Sequence, residues 1–209
     1  MPTWNYLIWV DEAWRGAWAW PVVAWAFCVE FDFDFSVLPW LTDSKKLSPE
    51  KREKLFQTIE NLKMEGKCFA AFGESSAEII DTVGIREANR LAMKRAIENI
   101  FQLNPQIKKF MILIDGRDNY AFEGIGKEKV KYIVKWDLTE PVISAASIVA
   151  KVTRDRKMCD FSADCPEYWF SLHKGYGTKK HEEALHYYGI HSLHRKSYAP
   201  VKALISDKA

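Results

Sequence analysis

A chain of 209 residues with 48% hydrophobic residues can bury one sizeable core, so a single domain is expected. A formal charge of +2 excludes a wholly basic coat, so an anionic partner must be held by a local patch. No apolar run approaches the roughly 20 residues that span a bilayer, and the N-terminus lacks the basic and apolar regions of a signal peptide. Cys28, Cys68, Cys159 and Cys165 form no CxxC pair, which fits reduced thiols in a cytoplasmic protein better than zinc or disulfides.

Tyr6 to Val10 reads as a short buried strand that runs into Asp11-Glu12, with Arg15 three residues beyond. Val22 to Phe31 reads as a second strand folding back on the first, and Asp32 to Trp40 as a loop. Ser48-Pro49-Glu50 is a helix start, with a serine N-cap, proline at the first position and an acid in the first turn. Leu55, Phe56, Ile59 and Leu62 give that helix its apolar stripe. Cys68 to Gly73 reads as a third strand. Ser75 with Glu78 predicts a capping box, and the helical pattern that follows, through Leu91, Met93, Ile97 and Ile100, breaks near Gly84.

Two more strand-like runs end in acids: Lys109 to Ile114 before Asp115-Gly116, and Lys131 to Trp136 before Asp137. Ser144 to Met158 is helical by pattern. His173-Lys174-Gly175-Tyr176-Gly177-Thr178 forms a glycine turn, a short helix from Lys179 stops at Gly189, and His194-Arg195-Lys196-Ser197-Tyr198 reads as a basic tail. Strands first, then alternating helices and strands, argue an α/β fold with a mixed central sheet flanked by helices, and a helical C-terminal segment.

Strands that each deliver an acid at the C-terminal end converge on one point if they are sheet neighbours. Asp11, Glu12, Asp115 and Asp137 would then repel one another without a counter-charge, and oxygen-only ligands suit Mg²⁺ or Mn²⁺. Two such ions about 4 Å apart activate a water and stabilise the leaving oxygen of a phosphodiester. Each acid alone is equally a solvated strand end. Arg15, Lys45, Lys46, Lys174, Lys179, Lys180, Arg195 and Lys196 suit phosphate contacts, although a solvated charged face explains any one of them. Tyr176, between two glycines, is placed to reach a base or sugar, or is an ordinary turn tyrosine. The histidines show no metal spacing and suit surface or hydrogen-bonding roles.

Seven segments in order carry a resemblance: Val-Asp-Glu-Ala-x-Arg-Gly, Thr-Asp-Ser-Lys-Lys-Leu-Ser, Ile-Asp-Gly, Lys-x-Asp, Ala-Ala-Ser-Ile-Val-Ala-Lys-Val-Thr-Arg-Asp, His-Lys-Gly-Tyr-Gly-Thr and His-Arg-Lys-Ser-Tyr-Ala-Pro-Val. Over nearly its whole length the chain resembles bacterial ribonuclease HII. The resemblance implies a ribonuclease-H-like fold as one catalytic domain over 1–209, with a helical extension from about 160. It implies metal-dependent cleavage of RNA in RNA–DNA hybrids and incision 5′ of single ribonucleotides in duplex DNA, leaving 5′-phosphate and 3′-hydroxyl ends. Asp11, Glu12, Asp115 and Asp137 then hold Mg²⁺ or Mn²⁺. Trp14-Arg15-Gly16 takes the place of a Gly-Arg-Gly segment that reads the 2′-hydroxyl and its phosphate, Lys45 and Lys46 join the substrate contacts, and Tyr176 packs at the RNA-to-DNA junction. A monomer is expected, with a clamp partner left open. The type III relatives usually carry an extra N-terminal substrate-binding domain, whereas this chain opens almost directly on the first catalytic strand.

The family usually has glycine where this chain has Trp9, Trp14, Trp20 and Trp136, and often at Trp40 and Trp169; Trp25 falls in a small-residue stretch, while Trp4 and Trp18 are ordinary. Glycine lets backbone approach a ligand closely and take conformations closed to other residues. Overpacking commonly costs about 1–3 kcal/mol per site. One-for-one replacement is the pattern expected when a gene whose UGA codons are read as glycine is rendered with UGA as tryptophan. Engineered substitution and natural divergence are the alternatives. If the tryptophans are native and block the junction pocket, a hybrid-binding module with impaired catalysis is the competing function.

Overall fold

Strand β1 (Tyr6–Ala13) is the middle of a five-stranded sheet in a computed structural model that describes residues 4–38, 47–116, 118–133 and 141–206. Its neighbours are β2 (Val22–Glu30), antiparallel, and β4 (Phe110–Asp115), parallel. β3 (Cys68–Ser75) lies antiparallel outside β2, and β5 (Val130–Ile133) parallel outside β4, giving the order β3-β2-β1-β4-β5. The sheet is mixed, as expected. Because β1, β4 and β5 run the same way, their C-terminal ends share one edge, the usual place for a site in an open α/β sheet.

Side chains alternate between the two faces of a strand, and both faces here are apolar. Ile8, Val10, Ala24, Ala26, Ile112 and Ile114 meet Ala88, Ala92, Met93, Ala96 and Ile97 of helix α3 (Ile85–Leu103). The opposite face packs on α1 (Pro49–Met64) and α4 (Pro141–Asp164), through residues such as Leu55, Ile59, Ile148 and Val149. Burial on both faces explains why β2 is an almost unbroken apolar run rather than an alternating one.

The caps largely follow the sequence. Ser48 Oγ accepts from Lys51 N at 3.3 Å to start α1. Gly84, at φ 80°, separates α2 (Ala77–Val83) from α3 as the pattern predicts. One expectation is off by a residue: Ser76, not Ser75, caps α2, its Oγ accepting from Ile79 N at 3.2 Å. Ser75 ends β3 and is buried against α3, where its hydroxyl accepts from Arg95 Nη1 at 3.4 Å rather than capping α2. Helix α4 is also longer than Ser144–Met158 and runs unbroken past residue 160.

The C-terminal part folds back over the turn that follows β1. After α5 (Phe170–His173) and the glycine turn, α6 (Lys179–Tyr188) starts on a Thr178 cap and ends at Gly189, and α7 (Ala199–Ser206) follows. Main-chain bonds stitch it to the turn: Trp18 N to Gly175 O at 2.9 Å, Trp20 N to Leu193 O at 2.7 Å and Arg195 N to Trp18 O at 2.8 Å. The expected basic tail is therefore no tail, since His194 and Arg195 are fully buried. Among the described residues no helix is long and apolar enough to cross a membrane. Substituting Ser76→Ala should cost about 1 kcal/mol in a urea melt, whereas an unchanged midpoint would show that its cap carries no stability.

Candidate active site

Parallel pairing sets the acids. β1 and β4 run in register from Tyr6–Phe110 to Val10–Ile114, so the next residues on the two strands are Asp11 and Asp115. By alternation both lie on the face of Trp9 and Leu113, while Glu12 points to the face of Val10. Asp137 follows β5 and lies outside the described residues, as do Lys45, Lys46, Trp40 and Trp136.

Around Glu12 the structure adds residues that the sequence did not single out. Arg15 Nη2 pairs with Asp118 Oδ2 at 2.5 Å, and its Nη1 lies 3.5 Å from Glu12 Oε1. Tyr120 donates to Asp118 at 3.0 Å, and Asn89, fully buried on α3, reaches the Tyr120 hydroxyl at 3.4 Å. Burial pushes the Glu12 carboxyl above the usual range, Arg15 and Asn89 pull it back, and Asp115 adds to the push. Burial also opposes charge on Asp118, but hydrogen bonds from Arg15 and Tyr120 outweigh it and hold that carboxyl low. Asn89 was legible in principle, as a lone polar residue on the apolar face shared by Ala88, Ala92 and Met93.

The donors gathered here are all oxygen. Beside the carboxylates, Asn89 Oδ1 is buried with no hydrogen-bond partner. Such a set fits a hard cation such as Mg²⁺ or Mn²⁺ in kind. Among the described residues, however, no three His, Cys, Asp or Glu groups stand close enough to hold an ion.

Beyond the acids, the turn after β1 meets the glycine turn. A Cβ at Gly16 would lie 4.0 Å from Tyr176 Cε1, and Tyr176 is 38% exposed beside it. Gly175, at φ 80°, brings the chain so close that a Cβ would sit 2.8 Å from Ala19 O. Arg15, Gly16 and Tyr176 are thus brought together. Arg195 is not available to a phosphate, because its guanidinium points into the protein and is spent on main-chain oxygens.

Backbone geometry bears directly on the tryptophans. Among the described residues the non-glycine residues at positive φ are Trp14 (67°), Trp20 (99°), Trp169 (51°) and Lys174 (51°). A left-handed conformation costs an L-residue about 1–2 kcal/mol, and a bulky side chain there is a genuine outlier. Three of these four positions are tryptophans at which the family resemblance leads one to expect glycine, usually at 14 and 20 and often at 169. Crowding accompanies the strain: Trp20 and Phe161 have ring centroids 3.9 Å apart, inside the roughly 4.5–7 Å that aromatic pairs prefer. Trp9 Nε1 is buried without an acceptor. These positions carry a backbone that favours glycine, which argues against a packing role for the rings.

Two outcomes follow from the site. The combined variant Trp14→Gly, Trp20→Gly, Trp169→Gly should melt higher than the parent; a loss of about 3–5 kcal/mol, the cost of emptying a tryptophan site, would make the rings native packing. Glu12, with its carboxyl raised on folding, stabilises the fold below its unfolded pKa, and that contribution is lost as pH rises through the raised value. A bound cation reverses the penalty, so Mn²⁺ should raise the melting temperature more near about pH 8 than near about pH 4.5; an equal rise at both would remove the acids as its ligands.

Comparison with known proteins identifies the family and the fold. The profile of the Ribonuclease HII family matches residues 8–201. Ribonuclease HII of Dichelobacter nodosus is 44% identical over 198 residues, covering 95% of this chain and 96% of its own. Among solved structures, ribonuclease H2 of Pyrococcus horikoshii superposes with a TM-score of 0.74 at 23% identity, covering 97% of this chain and 98% of its own. Bst-RNase HIII in complex with Mn²⁺ superposes at 0.75 with 16% identity, over 97% of this chain and 70% of its own. At those identities the structural matches establish a shared ribonuclease-H-like fold. A family match over nearly the whole length makes the chain a member of the ribonuclease HII family and a ribonuclease H endonuclease.

Proposed function

We propose that the chain is one catalytic domain that cleaves the RNA strand of RNA–DNA hybrids and incises 5′ of single ribonucleotides in duplex DNA. The reaction is two-ion hydrolysis with Mg²⁺ or Mn²⁺, leaving 5′-phosphate and 3′-hydroxyl ends. Asp11, Glu12, Asp115 and Asp137 hold the ions. The observation that carries this reading is the register that sets Asp11 beside Asp115 at the ends of parallel strands. Bound divalent ions would activate the attacking water and neutralise charge on the leaving oxygen.

The chain's own residues supply binding and orientation. Arg15 balances Glu12 and Asp118, which keeps a cation at the rim of the acid cluster where a substrate phosphate can exchange for a carboxylate. Gly16 gives main chain without a side chain in the way, and the exposed Tyr176 ring beside it offers a flat face to the sugar or base at the junction. Lys45 and Lys46 are proposed as further phosphate contacts. Discrimination of RNA from DNA at such a site falls on the 2′-hydroxyl.

The competing reading, a hybrid-binding module with a blocked pocket, draws no support from this face. Trp14 is 2% exposed and its ring lies under the turn, with Nε1 donating to Lys174 O at 3.1 Å, so it leaves Gly16 and Tyr176 open.

Asp115→Asn should abolish metal-dependent cleavage of a hybrid while leaving its gel shift within about threefold; turnover like the parent's would remove the acid cluster as the catalytic site. Tyr176→Ala should slow incision at a single ribonucleotide by roughly tenfold more than cutting of a long hybrid, and equal losses on both substrates would end its junction role.

A further inference from the structure

Arg195 is a buried cation whose hydrogen-bond acceptors, among the described residues, are all neutral, with the Asp81 carboxylate near enough to favour its charge. Nη2 donates to Trp14 O at 2.7 Å, Nη1 to Arg15 O at 2.9 Å and Nε to Trp20 O at 2.9 Å. Nη1 also donates to the Tyr198 hydroxyl at 2.8 Å, and that hydroxyl donates in turn to Arg15 O at 2.7 Å. Burying a guanidinium is costly, and here burial outweighs the help that Asp81 and Tyr198 give its charge. In a planar trans peptide the N–H points opposite to the preceding carbonyl. Holding the carbonyls of Trp14 and Arg15 inward therefore turns the N–H groups of Arg15 and Gly16 away from Arg195, toward the side where Gly16 is exposed.

A second set of bonds ties the opposite wall to the same place. Tyr176 O can only accept, so His181 carries its proton on Nδ1 and donates to it at 3.0 Å. His181 Nε2 then accepts from His194 Nε2 at 3.0 Å, and His194 Nδ1, 3.2 Å from His191 O, accepts from His191 N at 2.9 Å. Burial holds both imidazoles neutral, with pKa values pushed down to about 3 for His181 and about 4 for His194. Asp81 of α2 fixes the next residues, accepting from Lys196 N at 2.9 Å and from Ser197 N at 2.8 Å.

We infer that Arg195 is a positioning residue for ribonucleotide recognition, holding the 14–16 turn in place against Tyr176 and aiming the Arg15 and Gly16 amides at the substrate. The inference rests on the proposed reading of single ribonucleotides by this turn. Every bond from Arg195 to the turn ends on main-chain oxygen, so the clamp is the same whether positions 14 and 20 carry tryptophan or glycine. A lysine has one ammonium and cannot reproduce a fork that spans several carbonyls.

The test compares Arg195→Lys and Tyr198→Phe with the parent, in the chain itself and in the Trp14→Gly, Trp20→Gly background. Single-turnover rates and KM are read on a duplex with one ribonucleotide and on a long RNA–DNA hybrid, with a melting curve for each protein. For Arg195→Lys, the ratio of single-ribonucleotide incision to hybrid cleavage should fall by roughly ten- to a hundredfold, in rate more than in KM. Tyr198→Phe keeps the ring, removes one donor to Arg15 O, and should move the ratio the same way by about threefold; it decides the matter if Arg195→Lys does not fold. An unchanged ratio, or equal losses on both substrates, overturns the inference. A parent that cuts the hybrid but never the single ribonucleotide overturns the reading beneath it instead.

Discussion

Parallel pairing of β1 with β4 is the constraint on which the site depends. Side chains alternate with a period of two, so a slip of one residue would put Asp11 and Asp115 on opposite faces of the sheet. The register is held by burial on both sides. Ile8, Val10, Ile112 and Ile114 are packed under α3, and Trp9 and Leu113 belong to the opposite core. Fixing those apolar residues fixes the acids one step beyond them. Like charges held at that separation raise the demand for a counter-charge, which Arg15 meets in part and a divalent cation would meet fully.

The second constraint is the fold-back of the C-terminal part onto the turn after β1. Backbone bonds from Trp18, Trp20 and Arg195 bring Tyr176 beside Gly16, although 160 residues separate them in sequence. The close approach at Gly175, with the backbone of Ala19 where a Cβ would go, shows why a glycine turn precedes the tyrosine. The Asp11–Asp115 pair and the surface of Gly16 and Tyr176 thus come from separate parts of the fold joined by one short turn.

Much of this was legible in the chain because local patterns carry it. Acid-ended apolar runs, the Ser48 cap and the break at Gly84 each depend on a few adjacent residues. What was not legible depends on distant partners. Arg195 reads as a surface cation until the turn after β1 is seen closing around it with Asp81 of α2 nearby, and its three carbonyl acceptors leave no trace in side-chain identity. Asp118 looks like any loop acid until Arg15 and Tyr120 converge on it. Ser75 and Ser76 are equivalent as caps by type; only the end of β3 decides between them. The tryptophans are the reverse case: the resemblance leads one to expect glycine at positions 14 and 20 and often at 169, and positive φ at all three is the conformation that favours glycine.

The most direct measurement is the cut position on a DNA duplex with one ribonucleotide, using the Trp14→Gly, Trp20→Gly, Trp136→Gly form with Mg²⁺ or Mn²⁺. Incision 5′ of the ribonucleotide, leaving a 3′-hydroxyl and a 5′-phosphate and abolished by chelation, is the expected result. A well-folded protein that binds this duplex without cutting it, or cuts without a divalent ion, would contradict the acid cluster as a metal-dependent catalytic centre.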